Sequence, residues 1–254
     1  MNSKMEDLFL QTVRNNDVNS LKLCLPYIEN INVLGHEGWN ALFNALTNRN
    51  YEIMKILIDA GADVNCRWSN SGGTVLHSAI GQYKVDINII KLLIDAGADV
   101  NHQYNGFNVL DQFLDNILGC KIDATNYNEL VNLLCDNGAD INHLDNNGYS
   151  LFDRVFKQKY YNTDLTELLY NRGADIDHAD PNTGQTLLFY AISNRNIKIA
   201  EFLLLHGANV NHHDNSDITP LYHAMYLGNQ DMIKLIQNYG GTFDIYDSIH
   251  NDYV

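Results

Sequence analysis

A short motif recurs at nearly fixed spacing along the 254-residue chain, and a fixed period limits the fold more than any other property of a sequence. The motif is Gly61-Ala62-Asp63-Val64-Asn65. Near-copies stand at Gly97-Ala98-Asp99-Val100-Asn101, Gly138-Ala139-Asp140-Ile141-Asn142, Gly173-Ala174-Asp175-Ile176-Asp177 and Gly207-Ala208-Asn209-Val210-Asn211, and a worn copy follows at Gly240-Gly241-Thr242-Phe243-Asp244. The glycines step by 36, 41, 35, 34 and 33 residues. A second signal keeps the same beat: Asn40, Thr74, Asn108, Ser150, Thr186 and Thr219 each open a short apolar run. Units of this length stack on their neighbours, so the length suggests not two globular domains but one all-α array, a single domain over residues 1–254.

Residues 33–65 show the plan of one unit. Asn40 can cap a first helix through its side-chain oxygen, and Leu42, Phe43, Ala45 and Leu46 give that helix an apolar stripe. Asn48-Arg49-Asn50 turns the chain, with asparagine expected to take the left-handed conformation. Ile53, Met54, Ile56, Leu57 and Ile58 mark a buried second helix, which Gly61 ends by satisfying the last carbonyls without a Cβ clash. Residues 5–32 read as a starting cap, with Leu8, Phe9, Thr12 and Val13 on one helix, Leu21, Leu23, Cys24 and Leu25 on a second, and no glycine signal at the end. The remaining repeats fall at 66–101, 102–142, 143–177, 178–211 and 212–244, followed by a tail at 245–254. The fourth is irregular: 30 residues separate Asn108 from Gly138, against 21 between Asn40 and Gly61, the surplus lying near residues 118–125. A smaller bulge falls at residues 157–162. Irregular units are weak joints in an array, so proteolysis is expected first near Lys121 or Lys157, and Asn108-Val109-Leu110-Asp111 reads as the poorest helix opening.

These features resemble the ankyrin repeat over nearly the whole chain. The family pattern is a turn, a helix beginning Thr-Pro-Leu-His, a second helix, and a Gly-Ala-Asp-Val-Asn exit into a β-hairpin finger. The exit is well kept here, but only Pro220 retains the proline of the opening and only His77 the histidine directly after the leucine. The resemblance implies an ankyrin-repeat solenoid of about seven stacked helix-turn-helix pairs with short fingers, looser where the opening is worn. It implies a non-catalytic protein-interaction module that binds through its finger side and concave groove. In the family, finger asparagines with a leucine eight residues earlier resemble substrates of an asparaginyl hydroxylase; Asn65, Asn101, Asn142 and Asn211 match, after Leu57, Leu93, Leu134 and Leu203.

The formal charge of −15 disfavours phosphate backbones and anionic lipid, so neither nucleic acid nor a membrane surface is expected as partner, and a basic protein would associate faster. No apolar run is long enough to span a bilayer, the N-terminus is polar without a signal-peptide pattern, and Cys24, Cys66, Cys120 and Cys135 form no Cys-x-x-Cys pair. The expected setting is cytoplasmic and reducing, with free thiols and a monomeric chain. No nucleotide loop and no His-Glu-x-x-His helix is present, and no cofactor is called for. Cys66, His102, His143, His178 and His212 follow successive exit motifs and invite a metal ladder. Equivalent positions of stacked helices lie roughly 8–10 Å apart, whereas two nitrogens on one zinc must lie within about 4 Å, so these histidines are expected to line the fingers and bond to neighbouring backbone.

The residue just before a helix opening is Trp39, Phe107 or Tyr149, a position that the ankyrin resemblance turns toward the groove. With Trp68 these are the candidate anchors for a partner, in a rim of His36, Glu37, Arg67, Asn70, Tyr104, Leu144, Asn146 and Asn147. Richness in Asn, Ile and Tyr resembles the ankyrin proteins of large DNA viruses and intracellular bacteria, so a host-directed effector or adaptor is the second reading. An enzyme with active residues in the irregular fourth and fifth repeats is the third.

Overall fold

A computed structural model describes residues 2–35, 38–67, 72–118, 127–157 and 163–242. The chain divides into two compact units, Met1–Asp140 and Ile141–Val254. Among the described residues of the first, α1 (Asn2–Arg14) is followed by α2 (Val18–Cys24), which runs into a 3-10 turn (Leu25–Tyr27). Then come α3 (Ala41–Thr47) and α4 (Tyr51–Asp59), α5 (Val75–Ile80) and α6 (Ile87–Asp95), and α7 (Val109–Leu118) and α8 (Tyr127–Asp136). The second unit holds α9 (Leu151–Phe156) and α10 (Thr163–Asn171), α11 (Leu187–Ser193) and α12 (Ile197–Leu205), and α13 (Pro220–Tyr226) and α14 (Gln230–Asn238). Within the first unit, α3 packs on both α1 and α5, and α5 on α7; in the second, α11 packs on α13 and α12 on α14. No described helix is long and apolar enough to cross a membrane.

Each exit motif ends its helix by one mechanism. In α4, the N–H of Gly61 bonds to the carbonyl of Ile58 and that of Ala62 to the carbonyl of Leu57, both at 2.9 Å, closing the last turn. This geometry requires a left-handed residue, and Gly61 takes φ +92° without a side chain to clash. Leu57, Ala62 and Val64 are buried. The helix openings are capped where the apolar runs begin: the Asn40 side chain accepts from the Phe43 amide at 2.8 Å and Ser150 from Asp153 at 3.1 Å.

Three local expectations are corrected. In Asn48-Arg49-Asn50 the left-handed residue is Arg49, at φ 52°, because Asn50 is committed to capping α4 through the Ile53 amide at 2.9 Å. Arg49 then uses its guanidinium on the Lys84 carbonyl of the next repeat, 2.9 Å away; Arg195, at φ 54°, repeats the device on Leu227. In the starting cap, Leu8 and Leu23 are exposed at 53% and 74%, while Phe9, Val13, Leu21 and Cys24 are buried. Phe43 is only half-buried, unlike Leu42, Ala45 and Leu46. The surplus segment of the fourth repeat from residue 119, including Lys121, and the bulge from residue 158 lie outside the described residues.

The finger asparagines join one repeat to the next. Asn65 accepts from the Asp99 amide at 2.8 Å and donates to the Gly97 carbonyl at 2.9 Å. Asn101 makes the same pair of bonds with Asp140 and Gly138, both at 2.7 Å. In the second unit, Asn142 joins Asp175 and Gly173, and Asn211 joins Thr242 and Gly240. The starting cap lacks the glycine yet keeps half of the device, since Asn32 accepts from the Asp63 amide at 2.9 Å.

Candidate protein-interaction surface

The fingers of the first unit are small antiparallel turns. Gly35 donates to the Trp39 carbonyl at 2.9 Å, which sets Trp39 immediately before the α3 cap. Its half-buried ring lies against Phe43, centroids 4.6 Å apart and tilted by 60°, and Leu34 in the same segment is exposed. Arg67 bridges to Thr74 and is exposed. Tyr104 and Phe107 exchange two backbone bonds, 2.9 and 3.1 Å, around Asn105 and Gly106, both left-handed at φ 55° and 82°. An Asn-Gly pair between aromatic residues is a strong hairpin signal, and it was available in the sequence. Both rings are half-buried, and Tyr104 stands edge-on to buried His77 at 5.7 Å. Of the candidate anchors and rim, the structure thus places Trp39, Arg67, Tyr104 and Phe107 on the fingers of this unit. His36, Glu37, Trp68 and Asn70 lie outside the described residues.

The fingers of the second unit are built on aspartates. Asp145 donates its N–H to the Tyr149 carbonyl at 2.9 Å, while its carboxylate accepts the amides of Asn147 and Tyr149. Asp180 and Asp214 organise the next two turns in the same manner. Asn146 and Asn147 are exposed at the first tip, and Leu144, 45% exposed, bridges to Ser150. Tyr149 is half-buried, with the Lys157 ammonium 4.1 Å over its ring. Its phenol bonds to the Asp180 carboxylate, which raises the phenol pKa. Partial burial opposes ionisation of Asp180, but the amides of Asn182 and Thr183, the Tyr149 hydroxyl and Lys157 together hold its carboxyl below the usual range.

The matched histidines have separate partners. The Nε2 atoms of His102 and His212 lie 2.8 Å from the carbonyls of Gly72 and Gly184, each in the preceding finger. His178 instead places Nδ1 2.7 Å from the buried Asp153 carboxylate. Among the described residues, no group of three or more His, Cys, Asp or Glu is arranged to hold a metal ion.

The family pattern described as ankyrin repeats (3 copies) matches residues 9–104 and 155–247, more than half of the chain. The chain belongs to the ankyrin-repeat family. Among curated relatives, "Ankyrin repeat protein 14" of vaccinia virus (strain Western Reserve) is 32% identical over 65 residues, which cover 26% of this chain and 27% of that protein. The "Ankyrin repeat domain-containing protein OPG023" of monkeypox virus and of cowpox virus (strain Brighton Red) gives the same identity over 65 residues, 10% of either relative. The match thus spans about a quarter of the first relative and a tenth of the others. A solved structure of the ankyrin repeat domain of Bcl-3, a member of the IkappaB protein family, superposes with a TM-score of 0.72 at 18% identity, over 91% of this chain and 97% of that one. At that identity the likeness shows the fold alone, an ankyrin-repeat solenoid.

Within these ankyrin repeats the worn opening is repaired by aspartate. His77 closes a reciprocal cap with Thr74, its Nδ1 2.9 Å from the threonine hydroxyl. Asp111 and Asp153 occupy the same third helical position. Asp111 accepts from the Asn108 amide at 3.1 Å and donates its own amide back at 2.9 Å; Asp153 does likewise with Ser150. Asn108 also donates to the Asp140 carbonyl at 2.9 Å. The opening expected to be the poorest therefore carries a complete capping box and a tie to the next finger.

Proposed function

We propose that this ankyrin-repeat chain is a non-catalytic protein-binding module whose docking face is the finger side of its units. Ankyrin repeats are a generic protein-interaction module, which supports the class of function. The observation that carries the location is the set of partly exposed rings on the first unit's finger side: Trp39 against Phe43, and Tyr104 paired with Phe107. Large rings presented at a polar rim have the character of binding hot spots, each costing about 2 kcal/mol or more of affinity when truncated. Tyr149, Asn146 and Asn147 form the equivalent presentation in the second unit. The charge of −15 favours a basic partner and disfavours nucleic acid and anionic membranes.

The poxviral relatives favour a more specific version: an intracellular effector or adaptor that engages a host protein.

The test couples capture to stability. The immobilised chain is used to recover a binding protein, identified by mass spectrometry, and Trp39→Ala is compared with the parent. Loss of capture with melting within a few degrees of the parent supports the finger surface. A steep fall in melting with capture lost only in proportion makes Trp39 structural and removes it from the docking face.

A further inference from the structure

We propose that the second unit carries a side-chain subsite, between Asp153 in the first turn of α9, the finger bearing Asp180 and α11, that takes the guanidinium of one partner arginine. The proposal rests on the protein-binding reading above and names the chemistry of one contact in it. The subsite is a cavity of about 200 Å³ with Asp153, Thr186 and Leu187 buried in its wall and Asp180, Tyr190 and Ser193 around its mouth. Pockets for drug-sized ligands run about 300–1,000 Å³, so this one suits a single side chain.

The polar atoms at the cavity select its occupant. Asp153 is 4% exposed; the Ser150 amide and hydroxyl both bond to its Oδ2, and His178 Nδ1 lies 2.7 Å from the same atom. None of them uses Oδ1. Thr186, 3% exposed, caps α11 by position but makes no side-chain cap bond, and its buried hydroxyl has no partner. An unpartnered buried hydroxyl costs about 1–3 kcal/mol, and the equivalent Thr219 and Thr74 hydroxyls are bonded. Asp180 is held deprotonated by backbone amides at the rim. The cation already present, Lys157, is directed over the Tyr149 ring and offsets Asp180. What remains is Asp153 Oδ1 and the Asp180 carboxylate as acceptors, with the Thr186 hydroxyl in the same wall. Guanidinium brings five donors in a planar fork and no acceptor, which answers such a set better than the compact ammonium of lysine.

The experiment uses the full chain and a capped glycine-serine peptide with one central arginine, followed by backbone amide NMR. The expected result is saturable shifts centred on Gly184, Thr186 and Ser193. Binding should weaken about tenfold in Thr186→Val, which should melt no lower than the parent, and in Asp180→Asn, compared at a temperature where that variant is fully folded; about tenfold is the scale of one charge-assisted bond. Peptides with lysine or glutamine in place of arginine should bind more weakly than the parent peptide. Shifts spread over the acidic surface, equal binding of the lysine peptide, or parent-like binding by both variants would overturn the assignment. Capture by the first unit's fingers is read separately through Trp39→Ala, so failure here leaves that reading standing.

Discussion

Asn101 shows at the scale of one residue what the motif is for. Read along the chain, the finger asparagine's contact with residues about a period away is invisible, because it exists only once repeats stack. In the structure its amide reaches Asp140 and Gly138, accepting from one and donating to the other. Asn101→Ala removes both bonds and should lower unfolding free energy by about 1–3 kcal/mol, while Asn101→Asp, which keeps the acceptor, should cost less. Urea unfolding of the two variants gives the order directly. His77 is the second residue-scale case. Burial, with neighbouring His102 adding to it, lowers its pKa to about 4. The unfolded value is about 6.5, so the fold favours the neutral ring: stability is intact above about pH 6.5 and falls as pH drops toward 4, by up to about 3 kcal/mol. His77→Asn keeps a neutral acceptor for Thr74 and should flatten stability across that window, whatever it does to the absolute melting point. A parent-like slope in the variant would remove His77 as the cause.

The helices were legible as elements, because Ile53, Met54 and Leu57 and their equivalents repeat with helical period and glycine follows the second helix of each pair after the starting cap. Side-chain substitutions within the opening were harder to read. Matching against threonine and histidine made Asn108-Val109-Leu110-Asp111 look poor, whereas aspartate at the third helical position makes the same reciprocal bonds. Asp111→Ala should therefore destabilise by about 1–2 kcal/mol, as loss of a cap does, measurable by thermal unfolding. Exposed Leu8 and Leu23 show the limit of periodicity, since both fit a helical stripe and neither is buried. Among the left-handed glycines two classes separate. A Cβ on Gly61, at φ +92°, meets nothing within 4 Å, so Gly61→Ala should cost only the backbone strain, about 1–2 kcal/mol. A Cβ on Gly184, at φ +70°, falls 2.6 Å from the Asn215 backbone nitrogen, so Gly184→Ala must also push the next finger away and should cost clearly more. Equal melting temperatures for the two would mean the finger yields freely.

At the scale of the whole molecule, the period identified the fold, and nothing in it identified a partner, since the exit motifs are spent on joining repeats. Of the candidate site, the finger positions of Trp39, Tyr104 and Phe107 were legible from register, whereas Tyr149 is engaged by Lys157 and Asp180, contacts across sequence that no pattern announces. The charge of −15 predicts that association with a basic partner slows by about tenfold or more between low and high salt, with dissociation little changed, as surface plasmon resonance would show. A rate independent of salt would make the charge irrelevant to docking. The asparagine joints also set how the protein ages. Asp177 already stands where its counterparts are asparagine, and it accepts from the Asn209 amide at 2.8 Å without the matching donation. Slow deamidation of Asn65, Asn101, Asn142 or Asn211 would convert each joint to that weaker form, one negative charge at a time, so stored protein would lose stability in discrete steps that a charge-resolved separation could count.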